Sequence, residues 1–198
     1  MYTGKNYLQH KCTVNSNLIM VKKWEHPTDT PFPARPFVIV SFDDSNLYLQ
    51  ARKELSSLFG KIDYESPTVN SLPIQSLYGL PPRQQLRLLS FSQMVSREEL
   101  VDLRKRTMEL ERKLVSQGQL PVELDPGYLT EYTIIRTTLE DSYHCIYLFH
   151  NIYAECIYLF EKLSFQPTTP CPPYLRHHEV ITFFQDLRVL YVSQLKKV

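Results

Sequence analysis

The sequence predicts an α+β fold: a ferredoxin-like β-α-β-β-α-β core extended by a β-hairpin and a C-terminal helix. Three observations predict it. Short β-rich runs alternate with two helical stripes between Phe37 and Leu124. Two aromatic strands flank His150-Asn151, and an amphipathic stretch closes the chain. Strand, helix, strand, strand, helix, strand is the order of a ferredoxin-like sandwich.

Residues 1–36 read as an irregular N-terminal arm. Pro27, Pro31, Pro33 and Pro36 forbid regular helix there, and a short strand is expected at Asn17–Val21. Residues 37–198 read as a single α+β domain. Phe37–Phe42 is a continuous apolar run that suits a buried strand. Asp43-Asp44-Ser45 supplies N-cap candidates, Leu47, Ala51, Leu55, Leu58 and Phe59 repeat at helical spacing, and Gly60 stands at the C-cap. Lys61–Glu65 is the second strand. Pro67, Pro73, Pro81 and Pro82 make residues 66–85 a long irregular loop. Arg87–Phe91 is the third strand.

Ser96 and Glu99 match a capping box. The helix behind it carries Leu100, Leu103, Thr107, Leu110 and Leu114 on one stripe. Arg104-Lys-Arg106 and Arg112-Lys113 interleave with Glu98, Glu99, Glu109 and Glu111, which reads as a solvated helix face. Leu120–Leu124 is the fourth strand, ending in a tight Asp125-Pro126-Gly127 turn with Tyr128 behind it. Thr130–Thr138 suits a helix or, by its Thr and Ile content, a strand. Residues 144–160 form the hairpin, and a final helix starts near His178 with Val180, Phe183, Phe184, Leu187, Leu190, Tyr191 and Leu195 inward.

Composition narrows the function classes. The chain has 198 residues, 43% hydrophobic and 22% charged, which suits one soluble domain with an extension. A net charge of +1 gives no overall attraction to nucleic acid or anionic membrane. No apolar run spans a bilayer and the start has no signal-peptide core, so a cytoplasmic location with free thiols is expected. The four cysteines form no Cys-x-x-Cys pair, so no metal site is assigned. Phosphate-loop, dinucleotide-binding, zinc-protease and nucleophile-elbow signatures are absent.

The candidate chemistry lies in the second half. With a two-residue turn, Phe149 faces Ile152 and Ile146 faces Glu155, so His144 lies diagonal to Glu155. A carboxylate that orients an imidazole suits general-base work; a polar pair on a sheet surface is the plainer reading. The same register sets Cys145 opposite Cys156. Glu155, flanked by Ala154 and Cys156, needs a partner if it is buried. Asp125 reads either as the cap of its own turn or as a carboxylate presented at a strand end.

Gly60–Ser66, Leu89–Phe91, Leu124-Asp-Pro-Gly-Tyr-Leu129, His144-x-Ile-Tyr-Leu148, Ile152-Tyr-Ala-Glu155 and Phe165-Gln-Pro167 together resemble a bacterial family known only as a domain of unknown function. The likeness runs from about Phe37 to the C-terminus. It implies no established activity. Relatives carry a Tyr-Tyr pair with acidic residues before the third strand, of which only Tyr78 remains here. They also carry Lys near Thr133 and Glu140.

The expected function is a small-molecule-binding domain with hydrolase or transferase chemistry open to it. Its catalytic candidates are His144, Glu155 and Asp125; its ligand-binding candidates are Asp63, Tyr64, Tyr128 and Tyr153. The alternative is a non-catalytic interaction module docking through its sheet or C-terminal helix. An enzyme needs these groups around one pocket, whereas a docking module would scatter them and expose an apolar patch. Ligand, cofactor and oligomeric state are not legible.

Overall fold

The computed structural model describes residues 31–115 and 122–196. The chain divides into Met1–Thr30 and Pro31–Val198, and the second unit is the one described below. The expected arm up to residue 30, including its Asn17–Val21 strand and Cys12, lies outside the described residues.

Strand β1 (Arg35–Phe42) is the centre of the fold and is buried along its whole length. Its alternating side chains feed two cores, because successive residues of a strand point to opposite faces. Val38, Val40 and Phe42 pack under helices α1 (Ser45–Phe59) and α2 (Leu100–Leu114). Phe37 and Ile39 pack on the other face under helix α3 (His178–Leu195). The result is a helix–sheet–helix sandwich.

Among the described residues the sheet has nine strands, paired antiparallel throughout. They are β1, β2 (Ile62–Glu65), β3 (Val69–Ile74), β4 (Arg83–Phe91), β5 (Val122–Leu129), β6 (Thr133–Thr138), β7 (Ile146–Phe149), β8 (Ile152–Glu161) and β9 (Ser164–Pro167). The order is β2-β4-β1-β5-β6-β8-β7, with β3 also on β4 and β9 also on β8.

Local signals set most boundaries. The Asp44 side chain accepts from Asn46 N at 2.7 Å and caps α1, and Gly60 ends it at φ 90°. Glu99 Oε1 accepts from Ser96 N at 2.7 Å, completing the capping box ahead of α2. His150 and Asn151 both take positive φ, 54° and 60°, as a two-residue hairpin turn of strand-compatible twist requires.

Several expectations fail on tertiary grounds. Residues 66–85 hold strand β3, because Pro73 lies in a strand that pairs only with β4, beside a bulge, where its missing N–H costs little. Of the two readings of Thr130–Thr138, the strand is the one that holds, as β6 over Thr133–Thr138. Asp125-Pro126-Gly127 is no turn: β5 runs straight through it, in register with Ile39, Val38 and Phe37 of β1. Pro126 has the parity of Leu124, whose backbone groups face away from β1, so its ring interrupts no bond to β1. Gly127 is required by contact. A Cβ there would collide with the Ile135 carbonyl oxygen and lie 2.5 Å from Phe37 Cζ.

Gly127→Ala should therefore destabilise the domain by about 3 kcal/mol through overpacking between two central strands. Urea denaturation checks it, and a loss within about 0.5 kcal/mol would show that the strands separate freely.

Candidate functional site

Among the described residues the outer edge of β5 has no strand at its N-terminal half, because β6 pairs with it only from Gly127 to Leu129. Two side chains of α2 take the place of a neighbouring strand. Glu111 Oε1 accepts from Leu124 N at 2.7 Å, and Arg104 Nη1 donates to Leu124 O at 2.5 Å. Both are buried, Arg104 at 0% exposure. The expectation of a solvated face is thus corrected for these two residues. They lie on the stripe of Leu100, Leu103, Thr107 and Leu110, where position outweighs residue type. Tyr78 closes the arrangement: its hydroxyl donates to Glu111 Oε2 at 2.5 Å and accepts from Arg104 Nη2 at 3.2 Å.

From Arg104 a chain of charges crosses to the α3 face. Arg104 Nη1 lies 3.3 Å from Asp125 Oδ1, and Asp125 Oδ2 lies 3.9 Å from Arg136 Nη1. Arg136 Nε donates to Glu155 Oε2 at 2.7 Å, and its Nη1 donates to Tyr174 Oη at 3.1 Å. Arg136 pairs with Glu155 across β6 and β8, so the two side chains rise on one face. His144 Nε2 stands 3.2 Å from Glu155 Oε1. Burial pushes the Asp125 carboxyl up against the pull of Arg104 and Arg136, and pushes the Tyr174 phenol up to about 12.

Of the three catalytic candidates, His144 and Glu155 touch, and Asp125 is linked to them only through Arg136. Glu155 is buried with two partners, and His144 is one of them. The nitrogen left for base chemistry, His144 Nδ1, is shielded from solvent and has no hydrogen-bond partner. The expected hairpin register holds only at the turn, Phe149 opposite Ile152. A bulge before Phe149 slips the rest by one, so Ile146 faces Ala154 and not Glu155. Cys145 precedes β7, Cys156 pairs with Ile135, and Cys145, Cys156 and Cys171 are free thiols.

The ligand-binding candidates do not converge. Asp63 and Tyr64 lie on β2, five strand steps from β8, or roughly 24 Å. Asp63 accepts from the buried Arg35, and Tyr64 donates to Asp186 of α3 at 2.5 Å while stacking on Phe183. Tyr153 is buried and meets Tyr147 edge-on at 5.3 Å between ring centroids. Tyr128 points to the α2 face, away from the ion network.

Tyr128 instead lines a cleft of about 650 Å³ between the start of α2 and the β7–β8 hairpin. Ile135 and Ala154 form its floor with Tyr128, Leu100, Val101, Ile146 and Leu148 its walls, and Arg97 and Lys105 stand with Glu98 and Asp102 on its rim. Among the described residues, no three His, Cys, Asp or Glu side chains group so as to hold a metal. No described helix is long and apolar enough to cross a membrane. The sequence reading missed Arg136, a charge inside Thr-Ile-Ile-Arg-Thr-Thr, although it is the same anomaly that singled out Glu155.

Fold and site together define an α+β domain with a buried ion network on one sheet face and an apolar cleft on the other. Residues 32–191 match the family described as a domain of unknown function, DUF4416, and the chain belongs to that family. No curated protein and no solved structure matches it.

Glu155→Gln keeps the shape but leaves Arg136 with Asp125, 3.9 Å away, as its only carboxylate among the described residues. It should cost about 3 kcal/mol, lowering the melting temperature by roughly 6–12 °C; an unchanged melt would remove Glu155 from the structural network.

Glu111 yields a pH dependence. Burial pushes its carboxyl up to about 7, against Arg104, the Tyr78 hydroxyl and the Leu124 N–H. The folded value lies above the unfolded value of about 4.3. Its stabilising contribution is therefore complete below about pH 4.3 and is lost as pH rises to about 7. Glu111→Gln should remove that share of the fall in urea midpoint across this window, and parallel pH profiles would contradict it.

Proposed function

We propose that this domain binds a small molecule in the cleft between α2 and the β7–β8 hairpin. One observation carries the reading: a concavity of about 650 Å³ with an apolar centre and a charged rim. That volume falls in the range of roughly 300–1,000 Å³ over which ligand sites occur. Aromatic and aliphatic walls favour a ligand with a ring or short hydrocarbon part. Arg97, Lys105 and the Tyr128 hydroxyl suit a polar end.

The acid–base candidates support binding without chemistry at this cleft. Asp125, Glu155 and Arg136 are buried on the opposite sheet face, where they pair with one another and with Arg104, His144 and Tyr174. Their role in this reading is to hold β5, β6 and β8 together. The second reading, a protein-interaction module, is favoured by the exposed apolar side chains of β7. Two further features belong to the same proposal. Strands β1, β2, β4 and β5 with α1 and α2 form a ferredoxin-like core, supported by the order β2-β4-β1-β5. Residence is cytoplasmic, supported by the free thiols of Cys145, Cys156 and Cys171 among the described residues.

The test is a fragment screen by ligand-observed NMR on the whole chain, with thermal shift as the second readout. Fragments that join an apolar ring to a charged group should bind. Val101→Trp, which fills the cleft from half-exposed α2, should abolish binding with the melting temperature unchanged within about 2 °C. A screen without hits, or hits indifferent to Val101→Trp, overturns the proposal.

A further inference from the structure

We infer that the chain forms a two-fold symmetric dimer through the free edge of β7, continuing the sheet from one copy into the next. Among the described residues β7 is the terminal strand of the sheet order and pairs only with β8, so none of them lays a strand beside its outer N–H and C=O groups. Its sequence, Ile-Tyr-Leu-Phe, has no lysine and no proline, the residues that usually blunt such an edge. The bulge before Phe149 leaves Ile146 and Tyr147 as the straight part of the edge, so the two-fold axis falls beside them.

Size argues for a second copy. Tyr143, Ile146, Tyr147 and Phe149 are exposed at 93%, 68%, 60% and 67%. At about 200 Å² per side chain they offer on the order of 500 Å² of mostly apolar surface. A standard interface buries about 800 Å² per partner, so these four supply more than half of one side. Ile146 lies on the cleft side of the sheet and Tyr147 on the other. Apolar residues on both faces of one edge are covered by edge-to-edge pairing, and only half covered by a partner lying on one face. Antiparallel pairing of two identical edges is self-complementary, as a two-fold interface demands.

Charge agrees. The chain's net charge is +1, so copies do not repel strongly. Arg97 and Lys105 stand with Glu98 and Asp102 on the adjoining cleft rim, so each copy offers the other both signs.

Sedimentation velocity of the full chain from about 1 to about 100 µM should resolve a monomer–dimer equilibrium ending at twice the chain mass. Ile146→Lys and Phe149→Lys should each weaken it at least tenfold. Both positions are exposed, so near-UV circular dichroism should stay native. Leu163→Lys, at an exposed apolar residue of the β8–β9 turn, should leave the equilibrium unchanged. A monomer at every concentration overturns the inference, and so does a dimer insensitive to both β7 variants. Cleft binding is read separately by NMR, so either conclusion can fail alone.

Discussion

The unpaired backbone of Leu124 is the constraint from which the rest of this structure follows. β6 leaves β5 at Gly127, so the N–H and C=O of Leu124 face a helix and not a strand. Buried backbone groups must be bonded. α2 meets them with a carboxylate and a guanidinium, which brings two ionisable groups into the interior. Each then needs its own partners: Tyr78 for Glu111, and Asp125 for Arg104. Asp125 also faces Arg136, which pairs with Glu155. One interrupted ladder thus accounts for the position of eight polar side chains on strands β5, β6 and β8, helix α2 and the connecting segments, once Tyr174 and His144 are added at the far end.

How far this was legible depends on which kind of information each feature uses. Caps, the hairpin turn and the long amphipathic helix are local, and Asp44, Ser96, His150-Asn151 and the Phe183-Phe184 stripe announce them. Asp125-Pro126-Gly127 reads as a turn because those residues favour turns in isolation. The central position of β5 overrides that preference, and only the Phe37 and Ile135 contacts reveal why a glycine stands there. Arg104 and Glu111 were misread by their charge, though their seven-residue spacing on the Leu100–Leu110 stripe marks both as inward. The site suffers from a different gap. Whether Asp63 meets Glu155 depends on strand order, which no local pattern encodes.

Glu155 is the instructive success. A carboxylate between Ala154 and Cys156 in an apolar strand implies burial and a partner, and Arg136 and His144 supply both. The register that suggested His144 was nonetheless off by one beyond the turn. His144 reaches Glu155 from the segment before β7, so a right pairing came from a register that the bulge had displaced.

That bulge ties the two faces of the sheet together. It turns Ile146 toward Ala154 and so toward the cleft, while Glu155, one residue on, points to the ion network. β6 divides the same way: Ile135 lines the cleft and Arg136 binds Glu155. The floor of the cleft and the ion pair behind it are therefore neighbouring residues on the same two strands. Any separation of β6 from β8 that widened the cleft would stretch the 2.7 Å Arg136–Glu155 contact, a bond held in a low-dielectric interior where stretching is costly. The network thus acts on the cleft by fixing its dimensions from behind. On the proposed reading, the acid–base residues would influence ligand fit through the backbone, without lining the cleft themselves.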